Sequence, residues 1–152
     1  MIYYRNRVRH SGVRGRALVA VAERLLEALD ERGSSISLTL VDDETIRELN
    51  REHRGKDKPT DVLSFPLFDG EEDPQSGVER MLGDVVISID TARRQAQAYD
   101  ATLERELQRL LIHGVLHVLG HDHEEPGERA AMEAEERRLA RIIELPWPYE
   151  ER

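Results

Sequence analysis

Cysteine is absent from all 152 residues, which excludes disulfides and removes the thiolates that most closed structural metal sites use. Long apolar runs are missing as well. No stretch approaches the roughly 20 residues a membrane helix needs, and the polar, broken N-terminus lacks the apolar run of a secretion signal. Repeats and heptads are not apparent. Positive charge is scarce: 22 Lys and Arg stand against 31 Asp and Glu, for a formal net charge of -9. That balance argues against a general nucleic-acid coat protein, although a local phosphate site depends on local charge rather than on the total. At 17.5 kDa the chain suits one domain, residues 1–152, with a sizeable core.

Against these absences stands one dense run, His113-Gly-Val-Leu-His117-Val-Leu-Gly120-His121-Asp122-His123, which holds four of the six histidines. His113 and His117 are one helical turn apart, so their rings leave the same face and reach the same ion. A ligand six residues further on cannot point back from a straight helix. Gly120 permits a left-handed backbone there, and the chain can turn to bring His123 home. His121 competes as third ligand but has little chain with which to return. Neutral imidazoles suit Zn2+, and copper, nickel and iron also accept them. Three histidines without an obvious fourth protein ligand leave a position for water, the catalytic arrangement; closure by Asp or Glu would make the site structural.

Periodicity supplies the frame. Leu103, Leu107, Leu110, Leu111, Gly114 and Val118 form the apolar stripe of a helix starting from a cap at Asp100, with the histidines on its border. Ile2 to Arg5 reads as a short strand, and Ala17 to Leu29 as a helix ending near Gly33. Ile36, Leu38 and Leu40 alternate as a second strand, and Asp42 or Asp43 caps a helix carrying Ile46 and Leu49. Val62 to Phe65 and Val85 to Ile89 read as strands, separated by an exposed loop over Asp69 to Glu79. A last helix from about Gly127 to Ile143 turns Met132, Leu139 and Ile142 inward before Pro146 and Pro148 stop regular structure. The class is α+β: a small mixed β-sheet packed against several α-helices, with a zinc site at the end of a central helix.

A second segment, Asn50 to Pro66, concentrates Arg54, Lys56 and Lys58 in an acidic chain. A guanidinium fork fits the non-bridging oxygens of a phosphodiester. A solvated turn would explain the same residues, and Thr60 and Asp61 could merely brace it. A phosphate backbone would enter over this side, with Arg5, Arg7 and Arg9 expected nearby, because the segment from Asp122 to Glu136 holds seven acidic residues against one Arg. The histidine spacing is also that of metzincin peptidases, which need an acid beside the first histidine. Here that position is Gly114, so a peptidase would lack its general base.

In His113 to His123, Arg54-Gly-Lys-Asp-Lys-Pro-Thr-Asp-Val-Leu-Ser-Phe-Pro66 and Leu82-Gly-Asp-Val-Val-Ile-Ser88 the chain resembles the YbeY family of bacterial rRNA maturation factors, over about residue 38 to the tail. Met132 after the histidine turn agrees. The resemblance implies a zinc-dependent endoribonuclease acting on single-stranded rRNA, in 16S rRNA 3′-end processing, wider maturation and ribosome quality control. His113, His117 and His123 match the family's zinc ligands, and Arg54 its functionally essential cleft arginine. His53 and His121 stand where the family usually has Tyr. The expected partners are single-stranded rRNA and the small ribosomal subunit or its proteins, in the cytoplasm and away from any membrane. A zinc-containing assembly factor that acts by docking is the alternative. His121, Asp84 and Asp61 are the candidates for a general base, and the sequence does not choose between attack by water and by the RNA 2′-hydroxyl.

Overall fold

The computed structural model describes residues 1–67, 80–121 and 125–147. Its order is β1 (Ile2–Asn6), α1 (Gly15–Ala28), β2 (Ser34–Val41), α2 (Asp43–Arg54), β3 (Val62–Pro66), β4 (Arg80–Ser88), α3 (Ile89–Ala98), α4 (Leu103–Val118) and α5 (Pro126–Ile142). One mixed sheet runs β1-β2-β4-β3, with β1, β2 and β4 parallel and β3 antiparallel on the edge. This is the α+β arrangement the sequence suggests.

Alternation along the strands decides what each face holds. Ile36, Leu38 and Leu40 on β2, with Val85 and Ile87 on β4, are fully buried in one large core shared with α1, α3, α4 and α5. Val86 and Leu63 point the other way into a smaller cluster with Val41 and Ile46, which α2 covers. Helix α4 is apolar almost all round: Leu110, Leu111, Ile112, Val115 and Leu116 are all fully buried. It is the central helix. Each large side chain buried this way contributes about 1.5–3 kcal/mol.

Gly114 sets how closely α4 lies on the sheet. A Cβ there would stand 2.6 Å from Val85 Cγ1 and 3.3 Å from Val62 Cγ2, so only glycine allows this approach.

Several boundaries differ from the sequence reading. Thr102, not Asp100, caps α4, accepting from the Arg105 N–H at 3.1 Å. Asp100 lies beyond α3 with φ of 56°, where the Asp100 and Ala101 N–H groups close the helix on Gln97 and Ala96 carbonyls. Asp42 caps α2, accepting from Thr45 N–H; Asp43 instead accepts from Ser88, Thr91 and Arg94. Burial raises the Asp43 carboxyl, but those hydrogen bonds outweigh it and hold it below its ordinary value. Ile89 belongs to α3, which Ser88 caps, rather than to a strand. Helix α1 stops well before Gly33, closing at Asp30 with φ of 61°. Ile142 is exposed, because the turn through Glu144 folds Ile143 and Leu145 inward in its place. The loop over Asp69 to Glu79 and Pro148 lie outside the described residues.

The largest correction concerns the N-terminal arginines. Arg5 lies on β1 and the Arg54 segment leads into β3, and these strands are opposite edges of the sheet. Local patterns carry no strand order, so the expectation that Arg5, Arg7 and Arg9 lie near Arg54 fails.

Candidate active site

His113 and His117 project from the last turns of α4 as the helical period requires, with ring centroids 4.6 Å apart. Their Nε2 atoms stand 3.1 Å from one another. Two imidazoles bound tetrahedrally at about 2.0–2.1 Å to one zinc ion would hold their nitrogens about 3.3–3.4 Å apart. The pair fits that ion with little adjustment. Glu136, on α5 and only 8% exposed, places Oε2 3.2 Å from His113 Nδ1. A carboxylate there takes the Nδ1 proton's hydrogen bond and leaves Nε2 as the lone-pair nitrogen, the outer support typical of a metal-bound histidine.

Gly120 ends α4 as its position suggests. With φ of 97° it donates its N–H to His117 O at 3.0 Å, while His121 N–H reaches Leu116 O at 3.0 Å. These two bonds satisfy carbonyls the helix leaves open. His123 lies outside the described residues. Among the described residues no third His, Cys, Asp or Glu joins the pair in a metal-sized group.

The opposing wall comes from α2 and β3. Arg54 closes α2 before Gly55, whose φ of 70° turns the chain sharply, and donates to Ser64 O at 3.0 Å. Ser64 Oγ in turn donates to Gly114 O at 3.0 Å. Arg54 is thus tied through β3 to the helix that carries the histidines. Between the walls lies a cleft of about 490 Å³ lined by Arg54, Lys56, Lys58, Ser64, His113 and His117 among others. His53 packs edge-on against Phe65, with ring centroids 5.0 Å apart.

The three candidate bases part company. Asp61 lines the cleft but also braces the turn, accepting from Val62 N–H at 2.7 Å and from Gln95 at 3.3 Å. Gln95 is itself reached by Arg109, the partner of the buried Glu106, whose carboxyl burial pushes up. Asp84 sits on β4 between Ser37 and Phe65 and is not among the cleft-lining residues. His121 lines a separate recess with Glu128 and Ala131.

Sequence reasoning missed Glu136 and Ser64. The signal for Glu136 was available: it falls between Met132 and Leu139 on the buried face of α5, where an acid needs a partner.

A small α+β fold whose basic cleft ends at a histidine pair, with Glu136 behind His113, offers a site suited to a polyanionic ligand. The family described as Endoribonuclease YbeY matches residues 4–144, and the chain belongs to that family, one of RNA-cleaving enzymes. An endoribonuclease YbeY of Myxococcus xanthus is 53% identical over 127 residues, covering 82% of this chain and 42% of that longer protein. One from Persephonella marina is 52% identical, covering 71% of this chain and 69% of its own. The solution structure of a Thermotoga maritima protein superposes with a TM-score of 0.66 at 28% identity, covering 94% of this chain and 89% of that one. Among the described residues no helix is long and apolar enough to cross a membrane.

Proposed function

We propose that the chain is a zinc-dependent endoribonuclease of rRNA maturation, one domain over residues 1–152 that cuts single-stranded RNA, 16S rRNA 3′ ends included, and serves ribosome quality control. Its setting is the cytoplasm, with the small ribosomal subunit or its proteins as partner. His113, His117 and His123 are the metal ligands and Arg54 is the catalytic residue that grips the phosphodiester. One observation carries the reading: the two Nε2 atoms stand 3.1 Å apart in a cleft whose facing wall is Arg54.

Zinc, when bound, supplies Lewis acidity toward the phosphodiester. Arg54 is braced by Ser64, so its remaining donors meet the charge that grows on the non-bridging oxygens without reorganising first. Lys56 and Lys58 extend the positive lining along the RNA backbone. Glu136 keeps the His113 proton on Nδ1. Gly114 leaves no carboxylate beside His113, and its packing against Val85 leaves no room for one, which disfavours peptide hydrolysis.

The test incubates the protein and its His113→Ala variant with labelled single-stranded rRNA fragments, with and without small subunits, and maps the ends. Cuts that vanish with His113, together with loss of bound zinc, support the reading. Identical cutting by both proteins refutes it, and subunit binding without cutting turns the reading into a docking factor. A 2′,3′-cyclic phosphate at the new end assigns the attack to the RNA 2′-hydroxyl; its absence turns attention to water.

A further inference from the structure

We propose that the β1 edge carries a second RNA contact, in which Arg5, Arg7 and Arg9 hold the phosphate backbone of a strand whose scissile part lies in the cleft. The inference rests on the ribonuclease reading. Five of the chain's 22 basic residues and none of its 31 acidic residues fall within its first 22 positions. Arg5, Arg7 and Arg9 are all exposed. Among the described residues none of the three has a carboxylate partner, whereas Arg32, Arg47, Arg80, Arg94, Arg109 and Arg138 each pair with one within 4.0 Å. Paired arginines spend their charge inside the molecule. The three on the β1 side project it outward from a chain that is otherwise strongly acidic.

The backbone beneath them is fixed. Arg7 donates its N–H to Leu40 O at 2.9 Å, continuing the strand pairing one residue past β1. Asn6 then folds the following turn, accepting from Val8 N–H at 2.9 Å and donating to Ser11 Oγ at 3.0 Å. Ser11 is buried, and its carbonyl accepts from Arg93 at 3.1 Å. A pinned turn presents its arginines with less ordering to be done on binding. Guanidinium forks suit phosphate oxygens, and with no ion pair to a described residue to break these can take phosphate directly.

Position supplies the length of the ligand. The two edges are three strand spacings apart, about 14 Å between strand axes. A single nucleotide cannot touch both, whereas a strand of several can.

The experiment compares wild type with an Arg5→Ala, Arg7→Ala, Arg9→Ala variant by fluorescence anisotropy, using a tetranucleotide and a single-stranded RNA of about 30 nucleotides. Affinity for the long RNA should fall about tenfold at roughly 0.1 M salt, and the slope of log K against log salt should shrink by about 2, at about 0.7 per lost phosphate contact. The tetranucleotide should lose much less, and lysine at the three positions should restore most of the slope. Equal affinity and slope for the long RNA in both proteins would overturn this inference alone, provided wild type binds and cuts RNA. Competition by oligoglutamate as effective as by RNA would overturn it in favour of an acidic protein. A wild type that binds neither RNA would sink the ribonuclease reading as well. Matching thermal melts confirm that the variant is folded.

Discussion

The two edges of the sheet are both basic, yet they are built differently. At the β3 edge the arginine is woven into the fold: Arg54 is tied to Ser64, Ser64 to α4, and α4 carries the histidine pair. At the β1 edge three arginines have, among the described residues, no carboxylate partner, and they sit at a turn that Asn6 and Ser11 hold. Wiring a cation into the scaffold fixes its position to within the precision chemistry needs. Leaving it unpaired preserves its full charge for a ligand, at the expense of aim. On the proposed reading the first edge acts on a phosphodiester and the second holds one.

Three substitutions sharpen that contrast. Arg54→Lys keeps the charge but loses the fork and the brace to Ser64, and cleavage of a single-stranded RNA should fall by about a hundredfold with zinc content retained. Equal rates would mean that the wiring at this edge has no chemical purpose. Gly114→Ala forces a methyl toward Val85 and should lower stability by about 1–3 kcal/mol, read from denaturant unfolding. Stability equal to wild type would show that α4 and the sheet can part freely. Glu136→Gln removes the charge behind His113 and should weaken zinc affinity by about tenfold, measured by chelator competition. No such change is expected when the β1 arginines are replaced, so a matching loss of zinc there would erase the distinction between the edges.

What could be read in advance follows how far each signal travels along the chain. The histidine pair and the turn at Gly120 depend on neighbours within one or two helical turns, and both were legible. Strand β2 announced itself because Ile36, Leu38 and Leu40 alternate against a single packed face. Helix α3 was passed over because Ile89 was read into the strand before it and the rest of its buried face is Ala92 and Ala96, too small to make a hydrophobic period stand out. Strand order and the meeting of Glu136 with His113 across 23 residues depend on tertiary packing, which no local pattern encodes. The misplaced β1 arginines failed for the same reason.

Gly114 also bears on the routes open to mutation. A glutamate beside the first histidine needs only one substitution, yet its Cβ would have to share space with Val85 and press on Val62. Such a base could survive only after those valines had shrunk or α4 had lifted from the sheet, changes that bring no benefit until the glutamate arrives. A single step from a site like this one to a peptidase would therefore cost stability, and the spacing between a helix and two strands stands as a barrier to acquiring that base.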